Sequence, residues 1–277
     1  MNKVSSIKQI VRGMPTQDGA GVTLTRIIGQ PALPRLDPFL MLDEFGSDKP
    51  QDYLAGFPQH PHRGFQTVTY MLAGKMEHKD SVGNTGLIEA GGIQWMNAGR
   101  GIIHSEMPKQ TEGLMRGFQL WVNLPASEKM SLPNYQDIKA AEVPVVDAVV
   151  GVEVKVLVGQ FNGVSGPVSA QAVKPLFLDC CFKQRQSLSI PCDEQHNFFI
   201  YCYEGQISIG GEKLVKGQLA VLNPSSAIDL TGEAEACCIV VGGLPLGEPI
   251  VQHGPFVMNT EAEIHKAFDD FRSGLFA

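Results

Sequence analysis

The sequence has no cluster of basic residues, which a nucleic-acid-binding surface would need. Its 22 Lys and Arg are scattered among 29 Asp and Glu, and the formal net charge is −7. Such a chain has little attraction for a phosphate backbone, so we expect no direct nucleic-acid binding. No apolar run approaches the roughly 20 residues of a membrane-spanning helix, and the opening stretch MNKVSSIKQIVRGMP has no apolar signal core. We therefore expect neither a membrane span nor a secretory signal, and a cytoplasmic location.

The six cysteines show no Cys-x-x-Cys spacing, which is the usual sign of a zinc site. Two pairs, Cys180–Cys181 and Cys237–Cys238, are neighbours in sequence. Neighbours on a strand point to opposite faces and are poorly placed to bridge to each other. We therefore predict that the cysteines are buried, reduced thiols.

Helical patterns are also scarce, whereas short β-rich segments bounded by Gly, Pro, Asn or Asp recur along the chain. This crowding of short strands predicts an all-β fold of barrels or sandwiches. One helix is predicted near the C-terminus, where Thr260 and Glu263 form a capping box ahead of an apolar stripe. His265 lies off that stripe, and we interpret it as a solvated helix residue.

A weak internal repeat divides the chain. VTYMLAGKMEH resembles FIYCYEGQISI, with Gly74 matching Gly205, and AGGIQWMNAG resembles KGQLAVLNPS. The repeat predicts two similar β-domains, separated by a stretch punctuated with proline. We place the domains at residues 1–135 and 136–277, the second one ending in the helix.

Two short motifs carry candidate metal ligands. His60 and His62 stand two residues apart in HPHRGFQTVTY, and His104 and Glu106 repeat this spacing in GRGIIHSEMP. Residues i and i+2 share one face of a strand, so two adjacent strands would bring three imidazoles and one carboxylate together. Such a set suits a divalent transition metal and accepts iron, zinc, manganese, nickel or copper. A closed tetrahedral zinc site and an open iron site are both consistent with it.

The second repeat lacks these ligands. The positions that correspond to the two histidine motifs are occupied by Pro191, Asp193, Leu230 and Gly232. We therefore predict that the second domain binds no metal and has a structural role.

Four segments resemble the pirin family, a branch of the cupin superfamily: HPHRGFQTVTYMLAG, GGIQWMNAGRGIIHSEMP, GFQLWVNLP and PIVQHGPFVMNT. The resemblance runs from about residue 19 to the C-terminal helix. It implies an all-β bicupin, in which two jelly-roll β-barrels are followed by a short C-terminal helix. It also implies one divalent transition metal per chain, iron(II), bound in the first domain by His60, His62, His104 and Glu106.

The resemblance further implies an enzymatic function, because pirins are similar to quercetinases, which open a flavonol ring with O2. A flavonol-like molecule and O2 would be the substrates, and Glu106 would be the catalytic proton acceptor as well as a ligand. The alternative is a metal- or redox-dependent interaction protein, either a transcriptional co-regulator or a regulator of a metabolic enzyme. Flavonol turnover in air would favour the enzyme, whereas redox-dependent binding of a protein partner without turnover would favour the alternative.

Three further positions carry expectations about their surroundings. Gln66 stands where the family often has glutamate. On an unbroken strand it would share a face with His62, where its amide could bond an imidazole without supplying negative charge, but it is equally consistent with a plain strand residue. His78, in the polar segment GKMEHKDS, is predicted to be exposed in a turn, and His253 is predicted to pack against the first domain.

Overall fold

The computed structural model describes residues 5–169 and 172–276. The strands of the first half are β1 (Ile7–Arg12), β2 (Met14–Asp18), β3 (Val22–Ile28), β4 (Phe39–Ser47), β5 (Phe57–His62), β6 (Phe65–Ala73), β7 (Lys75–Asp80), β8 (Thr85–Glu89), β9 (Ile93–Asn97), β10 (Ile102–Pro108), β11 (Met115–Asn123) and β12 (Asn134–Ile138). Those of the second half, with one α-helix, are β13 (Val145–Val149), β14 (Val152–Val158), β15 (Gln160–Phe161), β16 (Val164–Ser165), β17 (Leu176–Phe182), β18 (Gln186–Pro191), β19 (Asn197–Glu204), β20 (Gln206–Ile209), β21 (Glu212–Val215), β22 (Gln218–Leu222), β23 (Ala227–Gly232), β24 (Ala236–Gly243), β25 (Val251–His253), β26 (Phe256–Met258) and α1 (Glu261–Arg272). Short 3-10 helices cover Pro50–Asp52 and Ala140–Glu142.

The chain divides into two compact units, each discontinuous in sequence. The unit that we name the N-terminal barrel contains Met14–Gln30, Phe39–Ala141 and Leu246–Ala277, and the unit that we name the C-terminal barrel contains Met1–Gly13, Pro31–Pro38 and Glu142–Pro245. The C-terminal segment, defined here as β25, β26 and α1, thus belongs to the N-terminal barrel, and β1 belongs to the C-terminal barrel. The division of the sequence at residues 135 and 136 stays a prediction.

The two units share one sheet architecture. The N-terminal barrel has a seven-stranded sheet in the order β12-β9-β6-β11-β4-β3-β2 and a four-stranded sheet in the order β5-β10-β7-β8. The C-terminal barrel has the orders β1-β22-β19-β24-β17-β14-β13 and β18-β23-β20-β21. The orders correspond strand by strand in chain order, as the internal repeat indicated, except at one edge, where β1 from the N-terminal end of the chain takes the place that β12 has in the N-terminal barrel. The predicted all-β fold of two jelly-roll barrels with a short C-terminal helix is confirmed.

The core of each barrel lies between its two sheets. In the N-terminal barrel, Phe45 and Met71 of the seven-stranded sheet pack in one buried cluster with Met76 and Ile88 of the four-stranded sheet. Each such buried side chain contributes about 1.5–3 kcal/mol through removal of apolar surface from water. The inward face of a strand in these sheets is therefore apolar by default, which makes an inward polar residue informative.

A disulfide overturns part of the cysteine prediction. Cys181 on β17 is bonded to Cys237 on β24, the residue directly opposite in the antiparallel ladder. Sequence neighbours do point to opposite faces, as expected, but each of these cysteines has a partner directly opposite it across the ladder, on the same face, which the sequence spacing does not reveal. The prediction of reduced thiols is therefore wrong for this pair. The free cysteines among the described residues are Cys180, Cys192, Cys202 and Cys238, three of them buried.

The C-terminal helix begins as predicted. The Thr260 side chain accepts a hydrogen bond from the Glu263 N–H, and the Glu263 carboxylate accepts one from the Thr260 N–H, which completes the capping box. Ile264 and Ala267 are buried, whereas His265 is exposed, as its position off the apolar stripe indicated. In the described parts of the chain, no helix combines the length and apolar character that crossing a membrane requires.

A buried lysine ties the C-terminal segment to the rest of the N-terminal barrel. Lys129 is 1% exposed. Its Nζ donates to the Gly64 carbonyl at 2.7 Å, the Asn123 Oδ1 at 2.7 Å and the Val257 carbonyl at 3.0 Å. Three acceptors satisfy the three N–H groups of the ammonium, yet burial lowers the pKa of Lys129 to about 8.

Lys129→Met is expected to remove a pH-dependent part of the stability. The usual pKa of a lysine is 10.5, so between about pH 8 and 10.5 the unfolded chain keeps a proton that the folded chain has released. The parent should therefore gain stability relative to the variant as the pH rises through this window, by about 3 kcal/mol at most. Urea unfolding of both proteins across the window measures the difference. Parallel pH profiles would show that Lys129 keeps its proton in the folded state.

Candidate metal centre

Three histidine side chains meet inside the N-terminal barrel. Strands β5 and β10 pair antiparallel, with His60 opposite His104, and alternation turns both histidine motifs inward. Ligand nitrogens of His60, His62 and His104 all lie within 4.8 Å of one another. The Nε2 atoms of His60 and His62 are 3.0 Å apart. The predicted convergence of three imidazoles is thus confirmed.

The unpaired ring nitrogens fit a metal ion. His62 Nδ1 and both nitrogens of His104 are buried and have no hydrogen-bond partner among the described residues, although buried polar groups are normally bonded. His60 Nδ1 donates to the Pro58 carbonyl at 2.8 Å, which leaves the lone pair of its Nε2 directed at the other rings. A spacing of 3.0 Å is about that of two nitrogens held at a right angle, each about 2.1 Å from one ion.

The electrostatics of the histidines favour the same interpretation. Burial, followed by His104 and His60, lowers the pKa of His62 well below its usual range, and the nearby carbonyl of Pro255 opposes the shift. Burial, followed by His60, lowers the pKa of His104 in the same way. Both imidazoles are therefore neutral at pH 7, and the neutral ring is the form that binds metal.

Glu106 lies two residues beyond His104 and is 1% exposed, but its carboxylate is not part of the histidine group. Two donors of the seven-stranded sheet hold it: Thr69 Oγ1 donates to Oε1 at 3.1 Å, and Gln119 Nε2 donates to Oε2 at 2.8 Å. Trp121 Nε1 donates in turn to Gln119 Oε1 at 3.3 Å, which fixes the amide so that its NH2 faces the carboxylate. The carboxylate is thereby kept as an oriented acceptor beside the three imidazoles.

Thr69, Gln119 and Trp121 are further parts of this site that the sequence motifs did not reveal. Gln119 and Trp121 stand two residues apart on β11 and therefore share one face of the sheet. Thr69 is the residue opposite Gln119 in the β6–β11 ladder. The available signal was a polar residue within a β-rich, otherwise apolar segment, FQTVTYML or GFQLWVNL. Such a position on a central strand points to a buried hydrogen bond, but not to its partner on another sheet.

Gln66 does not lie on the same face as the histidine ligands, as it would if one unbroken strand ran from His62 to Gln66. Strand β5 ends at His62, β6 begins at Phe65, and the two strands lie in different sheets. On β6, Thr69 points to Glu106, so alternation places Gln66 on the opposite face. The interpretation as a strand residue away from the ligands is therefore the better one.

His78 was predicted to be exposed, and this prediction is wrong. It lies on β7, is 1% exposed and stacks on Tyr135 at a ring-centre distance of 5.1 Å. The Gln94 amide contacts its ring and also donates to Asp137. The polar segment around His78 is a β-strand and not a turn. Its side chains alternate between solvent and the barrel interior, so every second residue points inward. His253 is exposed, and its ring packs 5.3 Å from that of Phe268 on α1.

Comparison with known proteins identifies the family. The family model "Pirin" matches residues 21–122, and the model "Pirin C-terminal cupin domain" matches residues 177–277. The chain belongs to the pirin family. A pirin-like protein of Caulobacter vibrioides is 46% identical over 99% of each chain, and human pirin is 41% identical over 92% of this chain and 88% of its own. A crystal structure of a quercetin 2,3-dioxygenase from Acinetobacter baumannii has a TM-score of 0.92, with 31% identity over 99% of both chains.

Pirin membership confirms the bicupin fold that the resemblance implied. The two matched regions include most strands of both barrels and the whole C-terminal segment, which contains the QHGPF signature. The chain spans nearly the whole length of the bacterial relative, so the comparison covers its whole fold.

The C-terminal barrel is expected to bind no metal, so the protein should hold one ion per chain. Where β5 and β10 carry histidines, the corresponding strands β18 and β23 pair Leu188 with Leu230 and Ile190 with Ile228, all buried. The same core also holds the thiols of Cys180, Cys202 and Cys238. Among the described residues, however, the group whose potential ligand atoms converge closely enough to hold a metal is the histidine group of the N-terminal barrel. Elemental analysis of the metal-loaded protein measures the ratio, and two ions per chain would contradict the expectation.

Proposed function

We propose that this chain is an iron(II)-dependent dioxygenase that opens the ring of a quercetin-like flavonol with O2. His60, His62, His104 and Glu106 would hold the ion, one per chain, and the cytoplasm would be the compartment, as the sequence analysis predicted. The observation that carries the proposal is the group of three convergent imidazoles, in which His62 Nδ1 and both nitrogens of His104 have no hydrogen-bond partner within the described residues. The quercetin 2,3-dioxygenase from Acinetobacter baumannii, with its matching fold, supports the substrate class.

The imidazoles and the Glu106 carboxylate would have different roles at the metal centre. An imidazole binds a metal through a nitrogen lone pair of its neutral form and supplies no negative charge, so the carboxylate of Glu106 would be the anion of the set. When bound, iron would supply positive charge and redox chemistry with O2. His60, the least buried of the three, marks the side from which a substrate reaches the centre.

Glu106 is the group that can take a proton. Release of the proton of the flavonol 3-hydroxyl requires an acceptor inside the barrel, and Glu106 has two carboxylate oxygens for it. The donors Thr69 and Gln119 keep these oxygens oriented, so the Glu106 side chain does not have to change rotamer before it accepts a proton. The Trp121 ring, 5.3 Å from that of His62, gives the site an apolar wall on which a flat aromatic substrate can lie.

An aerobic assay tests the proposal. Iron-loaded protein is mixed with quercetin in air, and loss of the flavonol absorbance is followed, normalised to bound iron. Turnover that scales with iron content supports the enzyme. Full iron occupancy without turnover of any flavonol contradicts it, and a redox-dependent interaction role would then take its place.

A further inference from the structure

Arg63, which follows His62 directly, is a buried cation, 3% exposed. Its Nη1 donates to Asp270 Oδ2 of α1 at 2.8 Å, and its Nε donates to the Arg100 carbonyl at 2.5 Å. Its guanidinium carbon lies 4.4 Å from the centre of the Phe276 ring. Because separation from these partners would leave a buried charge uncompensated, the side chain is held firmly.

The main chain of the same turn is also held by the C-terminal segment. The Arg63 N–H donates to the Pro255 carbonyl at 3.2 Å, and the Val257 N–H donates to the Arg63 carbonyl at 3.0 Å. Gly64 has φ +85°, and a Cβ there would overlap the Val257 carbonyl oxygen. The backbone of the turn is therefore in direct contact with the backbone of the C-terminal segment. Lys129 bonds both the Gly64 and the Val257 carbonyls. The turn that ends β5 is thus fixed from a segment almost 200 residues later in the sequence.

This attachment matters most for His62. The ring of His60 is oriented by its own hydrogen bond to the Pro58 carbonyl. His62 Nδ1 has no hydrogen bond within the described residues. Outside the histidine group, in which its Nε2 lies 3.0 Å from that of His60, the ring makes edge contacts with Phe65 at 5.0 Å and Trp121 at 5.3 Å. Its position is therefore set by packing and by the backbone, and the backbone is fixed at the next residue, Arg63.

We propose that Arg63 and Asp270 are positioning residues for His62, through which docking of helix α1 sets the affinity of the metal centre. The inference rests on the proposed function, because it assumes that His62 is a ligand. It extends the centre to α1, which contributes no ligand. By thermodynamic linkage the effect is reciprocal: if undocking of α1 weakens metal binding by some factor, bound metal must suppress undocking by the same factor.

The test compares Asp270→Asn with Asp269→Asn. The two positions are adjacent on α1 and lose the same charge, but Asp270 faces Arg63, whereas the side chain of Asp269 is 74% exposed. The metal-free proteins are titrated with cobalt(II), whose visible absorption reports on its ligands. We expect about 10-fold weaker binding and an altered spectrum for Asp270→Asn, in the range of losses seen when groups behind a ligand are removed. We expect parental values for Asp269→Asn, and partial recovery for Asp270→Glu, which keeps the charge.

A second measurement needs no variant. In the parent protein, saturation with cobalt(II) should slow amide hydrogen exchange of α1 by about the same 10-fold factor. Equal cobalt affinity of the parent and Asp270→Asn, or exchange in α1 that does not respond to metal, would overturn the inference while leaving the metal centre in place. Failure of the parent itself to bind cobalt(II) would overturn the proposed centre, and the inference with it.

Discussion

Replacement of His104 by alanine is expected to remove most of the bound metal while the fold survives. One of three imidazoles disappears, and even the loss of a group behind a ligand costs about 10–100-fold in affinity, so loss of a ligand costs at least as much. Neither ring nitrogen of His104 makes a hydrogen bond within the described residues, so no partner is left unsatisfied. His60→Ala should behave in the same way. Elemental analysis, with circular dichroism as the fold criterion, measures both effects.

His78→Ala is the matched control, because His78 is an equally buried histidine on the adjacent strand β7. Its ring is bonded to the Gln94 amide, so truncation leaves a buried donor unpaired and is expected to lower stability without lowering metal content. His104→Ala should therefore lower metal content without unfolding the protein, whereas His78→Ala should lower stability without lowering metal content. Full metal content in both His60→Ala and His104→Ala would show that the wrong residues have been chosen.

The sequence predicted what depends on strand periodicity. The i, i+2 spacing of His60 with His62, and of His104 with Glu106, places each pair on one face whatever the rest of the fold does. The repeat of strand signals likewise predicted two barrels of the same architecture. These features survive because alternation is a local property of an extended chain.

Features that depend on pairing between distant strands could not be predicted. The partner of Cys181 is set by the register of β17 with β24, and the burial of His78 by the side of β7 that faces the barrel interior. The donors to Glu106 lie on the opposite sheet, and the anchor of Arg63 lies on α1. None of these contacts has a short-range pattern, since each residue is ordinary in its own segment and acquires its role only when two sheets or a sheet and a helix meet.

Glu106→Gln is expected to separate metal binding from turnover. Glutamine keeps the shape of the side chain and one acceptor oxygen, and three imidazoles remain, so metal affinity should fall modestly. Flavonol oxygenation should fall much further, by about 10²–10⁴-fold, since that is the usual contribution of a positioned proton acceptor. The assay is loss of flavonol absorbance in air per bound iron, and metal content is measured on the same samples.

Glu89→Gln provides the control for this change. Glu89 is a glutamate of the same four-stranded sheet, on β8, but its side chain is 57% exposed and pairs with Lys75 at the surface. The substitution removes the same charge and is expected to leave both metal content and turnover at the parental level. A Glu106→Gln variant that turns over as fast per iron as the parent would show that Glu106 is not the proton acceptor. A fall in turnover no larger than the fall in iron content would assign Glu106 to metal binding alone, since the proton acceptor role requires a loss that iron occupancy does not explain.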